Sequence, residues 1–145
     1  MEYCPRIREN DKGREIFDPV RKKYVMLTPE EWVRQRLLHL LVTEYGVPQG
    51  LIGVEIAVPL GDRSLRADIV VYDRNARPLL VVECKAEAVK ITQETFMQIA
   101  GYNLTLRVPW LMVGNGQQLY CCKLNPDTGQ YDFVTDIPKY NMLMR

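Results

Sequence analysis

The chain has 145 residues, 47% apolar and 26% charged, the length and balance of one soluble domain with a single core. Nineteen Lys and Arg against eighteen Asp and Glu leave a net charge of +1, which excludes a bulk polycation that coats nucleic acid through charge alone and leaves a local basic cleft open. No run approaches the roughly 18 apolar residues of a membrane-spanning helix, and Met1–Arg14 carries no apolar signal core, so a cytoplasmic protein with no membrane association is expected.

Residues 1–15 read as a charged, loosely ordered segment ahead of one domain over 16–145. Ile16–Leu27 reads as two short extended pieces around the turn-forming pair Asp18-Pro19. The first helix opens with Thr28 as N-cap, Pro29 at the first helical position and Glu31 three residues after the cap. Val33, Leu37, Leu40 and Leu41 give it one apolar face, and Gly46 and Pro48 end it. Leu51–Leu60, Ala67–Tyr72 and Leu79–Lys85 read as strands, with turn chemistry over Asp73–Pro78. The third is apolar until Glu83, as befits a strand covered on both faces in the middle of a sheet. Thr92–Leu106 has helical spacing through Phe96, Ile99 and Tyr102; Trp110–Val113 is again a buried strand, and Leu119–Leu124 with Tyr131–Val134 form a closing hairpin. The order predicts an α/β fold with a central mixed sheet flanked by helices.

The chemistry concentrates at Glu83-Cys84-Lys85. Alternation puts Glu83 and Lys85 on one face, roughly 6–7 Å apart, with Cys84 pointing the other way. Charges ending a buried strand are costly unless paired or bound to a metal. If the strand beginning at Asp68 pairs with this one through the Asp73–Pro78 turn, Asp68 and Glu83 meet in one cleft beside Lys85. Two carboxylates and a strand carbonyl are hard oxygen ligands suited to Mg²⁺, which keeps its other positions for water and a phosphate. Such a metal acidifies a bound water and offsets charge developing on phosphorus, the requirements of phosphodiester hydrolysis.

Asp68, fourteen intervening residues and then Glu83-x-Lys85 resembles the PD-(D/E)XK nuclease superfamily, with Ala67 where that motif often has proline. Gln98-x-x-x-Tyr102 on the following helix is similar to the extra motif of the nuclease domain in type I restriction enzyme R (HsdR) subunits and of RecB-like nucleases. Upstream, Phe17-Asp18-Pro19-Val20-Arg21-Lys22-Lys23-Tyr24 and Leu27-Thr28-Pro29-Glu30-Glu31-Trp32-Val33-Arg34-Gln35 resemble small stand-alone bacterial proteins related to the HsdR N-terminal domain. The resemblance covers about Ile16 to Val113. It implies a restriction-endonuclease-like fold and a Mg²⁺-dependent deoxyribonuclease, with Mn²⁺ as a substitute ion. Asp68, Glu83 and the main-chain carbonyl of Cys84 would hold the metal, and Lys85 would orient the attacking water. Glu31, ahead of Glu30 and Glu44, would join the metal cluster, and Gln98 and Tyr102 would position the phosphate or fix Lys85. DNA is the implied partner, with a homodimer or a restriction-complex subunit beside it. The ATP-driven motor of large R subunits needs a G-x-x-x-x-G-K-[ST] loop that this sequence lacks, so neither ATP use nor translocation is expected.

Each residue also has an ordinary structural account. Glu83 and Lys85 can form a strand-end ion pair, Asp68 can pair with Arg66, and Glu31 can complete a capping box with Thr28. Gln98 and Tyr102 can be a helix hydrogen-bond pair, and Arg21-Lys22-Lys23 a solvated turn. His39, Trp32 and Trp110 read as packing residues, and Cys4, Cys84, Cys121 and Cys122 as reduced thiols without metal-site spacing. Two other functional classes follow: a catalytically inactive nucleic-acid-binding or assembly domain on the same fold, and a purely structural α/β domain.

Overall fold

The computed structural model describes residues 3–60, 62–104 and 107–144, and their side chains except those of 58–60, 63, 65 and 102–104. Three short strands open the chain: β1 (Ile7–Asn10), β2 (Gly13–Asp18) and β3 (Lys23–Met26), paired antiparallel in that order. Strands β1 and β2 thus begin inside the stretch that the sequence suggests is a loosely ordered segment. All four residues of β1 are exposed, so no apolar alternation marks the strand; its backbone pairing with β2 makes it. Asp18 is fully buried at the end of β2, where its carboxylate accepts the N–H groups of Val20 (2.7 Å) and Arg21 (3.0 Å) and closes the turn into β3.

Helix α1 (Pro29–Thr43) starts as the sequence predicts, with the Thr28 hydroxyl accepting the Glu31 N–H at 3.0 Å. Its buried stripe is Val33, Leu37, Leu38 and Leu41, continued toward the N-terminus by Glu31, Arg34 and Gln35. Beyond a 3₁₀ turn at Gln49–Leu51 come β4 (Ile52–Leu60), β5 (Arg63–Tyr72), β6 (Pro78–Cys84), α2 (Gln93–Leu104), β7 (Trp110–Gly114), β8 (Leu119–Asn125) and β9 (Gln130–Val134). They form a sheet of six strands in sequence order, antiparallel except for the parallel β6–β7 pair spanned by α2. A single-turn helix, α3 (Tyr140–Leu143), unforeseen in the sequence, packs Tyr140 and Leu143 into the core and receives the Trp110 indole N–H on the Leu143 carbonyl at 2.9 Å.

The sheet has a core on each face. On the α1 side, Val33, Leu37, Leu38 and Leu41 pack on Ile69, Val71, Leu80, Val82 and Met112. On the α2 side, Phe96 and Ile91 pack on Ala67, Val70, Val81, Leu111 and Val113. The mixed α/β sandwich predicted from the element order is therefore the architecture observed, with β6 buried between both layers.

Candidate active site

Strands β5 and β6 pair antiparallel across the Asp73–Pro78 turn, with Ile69 opposite Val82. Asp68 and Glu83 are the next residues outward on each strand. The Asp68 Oδ2 accepts the Cys84 N–H at 2.7 Å, so a side chain on β5 ties down the backbone that ends β6. Glu83, next to Cys84 on β6, is close enough to Asp68 to feel its charge. Burial first, and then the negative charge of Asp68, push the Glu83 carboxyl up to about 8; Lys85 pulls the other way without reversing it. Burial likewise pushes the Cys84 thiol up, so it is an inert packing group.

The sheet is irregular at this step. The β4–β5 register runs from Val54↔Ile69 to Ile56↔Ala67, with Glu55 and Asp68 between, and Glu55 adopts φ 53°. Val54 and Ile69 belong to the α1-side core, whereas Ile56 and Ala67 pack on the α2 side. Residues two apart in a regular strand share a face, so both strands turn over here, and the left-handed residue supplies the turn in β4.

The inversion delivers Glu55 and Asp68 to α1, where Arg34, 5% exposed, waits. Its Nη1 lies 3.2 Å from Glu31 Oε1 and 3.3 Å from Glu55 Oε1, and its Nη2 lies 3.5 Å from Asp68 Oδ1. Glu31 also accepts from Arg21 (2.9 Å) and Gln35 (3.0 Å), and Arg21 returns to Asp18. The Glu31 side chain therefore does not return to the Thr28 N–H, which donates to the Met26 carbonyl, and only its backbone serves the cap. Burial favours neutral Asp18 and Glu55, but hydrogen bonds outweigh it: from Arg21 and Val20 at Asp18, from Arg66 and Arg34 at Glu55, holding both carboxyls below their usual range. Arg66 pairs with Glu55 at 3.0 Å. Arg21, read as part of a solvated turn, is instead half-buried and ion-paired.

Residues 29–138 match the family described as the type I restriction enzyme R protein N terminus (HSDR_N). The chain belongs to this family. A solved fragment described as an HsdR subunit of a type I restriction enzyme from Vibrio vulnificus YJ016 is similar to it, at 21% identity and a TM-score of 0.53 over 81% of the chain. The HSDR_N chain spans 25% of that protein, and the likeness carries the fold, which is restriction-endonuclease-like. No curated protein matches.

In this HSDR_N domain the sequence-predicted residues divide into three places. Asp68, in the middle of β5, lies beside Glu83, Cys84 and Lys85 at the end of β6. Glu31 sits one guanidinium away from Asp68, across Arg34. Gln98 is exposed on α2, and the side chain of Tyr102 lies outside those described. Among the described residues, no three His, Cys, Asp or Glu side chains are grouped to hold a metal. Sequence reading missed Arg34, Glu55 and Arg21. One signal was available for Arg34: Glu31, Arg34 and Gln35 continue the i, i+3, i+4 stripe of Leu38 and Leu41, and charge on an apolar stripe must be paired.

Proposed function

We propose that this domain is a metal-dependent nuclease module of the PD-(D/E)XK type, hydrolysing DNA phosphodiesters in the cytoplasm, alone or as a homodimer or beside a restriction-complex partner. The observation that carries the reading is that the β5–β6 pairing brings Asp68 beside the end of β6, its Oδ2 accepting the Cys84 N–H at 2.7 Å, next to a Glu83 whose carboxyl burial, and then Asp68, push up to about 8. The donor set fits Mg²⁺, with Mn²⁺ as substitute: hard oxygens from Asp68, Glu83 and the Cys84 carbonyl, few enough to leave positions for water and phosphate. When bound, the metal would supply an acidified water and neutralise charge on the phosphate. Asp68, anchored by the Cys84 N–H, presents a fixed oxygen. Lys85, on the strand end beside Glu83, would orient the attacking water, and Gln98 and Tyr102 would steady the phosphate. Glu31, already shared by Arg21, Arg34 and Gln35, would act on the cluster through Arg34. No ATP-dependent step enters the reading.

The test is Mn²⁺ calorimetry, with and without an oligonucleotide, on wild type, Asp68→Ala and Glu83→Ala, followed by cleavage of linear, nicked and branched DNA. Binding that both substitutions abolish, and cleavage lost in Asp68→Ala and Lys85→Ala, are expected. Cleavage that survives both substitutions would remove the assigned roles. A second reading, the inactive nucleic-acid-binding domain, is favoured by one contact: Arg34 beside Asp68 places a permanent cation where a metal ligand is wanted. It requires DNA retention in gel shifts with no cut product at any Mg²⁺ or Mn²⁺ concentration.

A further inference from the structure

The geometry points to Arg34 as the positioning residue for Asp68, a role that rests on the reading of Asp68 as a metal ligand. Asp68 is held at both oxygens: Oδ2 takes the Cys84 N–H at 2.7 Å, and Oδ1 faces Arg34 Nη2 at 3.5 Å. The guanidinium is not free to follow Asp68. Its Nη1 is shared by Glu31 and Glu55, and Glu31 is in turn gripped by Arg21 and Gln35. Carboxylates from α1, β4 and β5 thus converge on one buried planar fork, whose Nε has no hydrogen-bond partner. Leaving a buried guanidinium N–H unpaired costs free energy, and the arrangement that incurs it aims Nη2 at Asp68. The backbone agrees: Glu55 reaches Arg34 because of its left-handed φ of 53°, at the step where Asp68 leaves the regular ladder. A planar fork can bridge Glu31, Glu55 and Asp68 at once; a lysine ammonium is a single point on a flexible stem. Arg34 therefore fixes the direction in which Asp68 presents its oxygens, as a supporting partner fixes a metal ligand.

Arg34→Met would take the arginine partner from Asp68 and one of two or more from Glu31 and Glu55, which keep Arg21 and Arg66, so Arg34→Lys, which retains the charge, is the informative variant. Two readouts are needed on the full chain: amide hydrogen exchange at Cys84 without metal, and Mn²⁺ affinity by calorimetry. Arg34→Lys should speed Cys84 exchange about tenfold as its acceptor loosens, leave Val82 and Met112 unchanged, and weaken Mn²⁺ binding roughly 10- to 100-fold. Unchanged Cys84 exchange and unchanged affinity, with Asp68→Ala still abolishing binding, would overturn the positioning role and leave the metal site standing. Faster Cys84 exchange in a protein whose wild type binds no Mn²⁺, even with an oligonucleotide, would support the Arg34–Asp68 linkage and overturn the metal reading.

Discussion

Glu83 carries its carboxyl at about 8 in the folded chain against an ordinary 4.5, because burial and then Asp68 disfavour its charged form. A raised folded pKa means the folded state holds the proton more tightly than the unfolded state does. The stability this contributes is complete below pH about 4.5 and is lost as pH climbs through about 8. Glu83→Gln imitates the protonated form permanently. In metal-free buffer, wild type and variant should unfold alike near pH 5, and the variant should be the more stable near pH 9. The gap should be on the order of 1 kcal/mol, since a pKa unit is worth about 1.4 kcal/mol and solvent screening of a partly exposed group discounts the full shift. Saturating Mn²⁺ should invert the order, because a metal binds the deprotonated carboxylate; urea melts at the two pH values, with and without Mn²⁺, decide it. Identical melts at pH 9 would mean Glu83 is not strained by its neighbour. At this scale Asp68, Glu83 and Lys85 were legible because a charge interrupting a buried strand demands an explanation. Glu55 was not, since its role comes from a backbone inversion that no side-chain pattern announces, and Arg34 showed only as a charge on the buried stripe of α1.

Between elements, that inversion makes its own demand on Gly53. As β4 turns over at Glu55, Ile56 folds back so closely that a Cβ added to Gly53 would lie 2.6 Å from Ile56 Cγ1 and 2.8 Å from its Cδ1. Ile56 is packed against the α2-side core and has little room to yield. Gly53→Ala should therefore cost about 1–3 kcal/mol, the usual penalty of overpacking. Gly101, exposed in α2 with nothing within 4 Å of an added Cβ, is the control. Gly101→Ala should gain roughly 0.5–1 kcal/mol from helix propensity. Thermal melts of the pair read both signs, and a neutral Gly53→Ala would show that β4 does not need its close approach. Most elements were legible for a physical reason: α1, β6 and β7 bury apolar stripes whose period is written in the sequence. Strand β1 has no buried residue, and α3 is one turn long, so neither leaves a period to read.

For the whole molecule, the question is how a chain of net charge +1 would hold a polyanion. Five of its twelve arginines are ion-paired among the described residues: Arg8 to Glu15, Arg21 to Asp18 and Glu31, Arg34 to three carboxylates, Arg36 to Glu87 and Arg66 to Glu55. A cation paired internally releases no counterion from DNA, and each phosphate neutralised steepens the salt dependence by about 0.9 in a log–log plot. With a net charge of only +1, the domain should engage few phosphates, so its binding to duplex DNA should be weak and its slope no steeper than about −3. Fluorescence anisotropy of a labelled duplex between roughly 50 and 200 mM salt measures both. A slope near −6 would reveal a basic face that these internal pairs do not occupy, and tight binding by one domain. The shallow slope would place affinity elsewhere. The chain spans only 25% of the HsdR fragment it resembles. On the proposed nuclease reading, Arg34→Lys should lower the cleavage rate without altering the salt slope, because Arg34 is 5% exposed and its charge is spent on Glu31, Glu55 and Asp68.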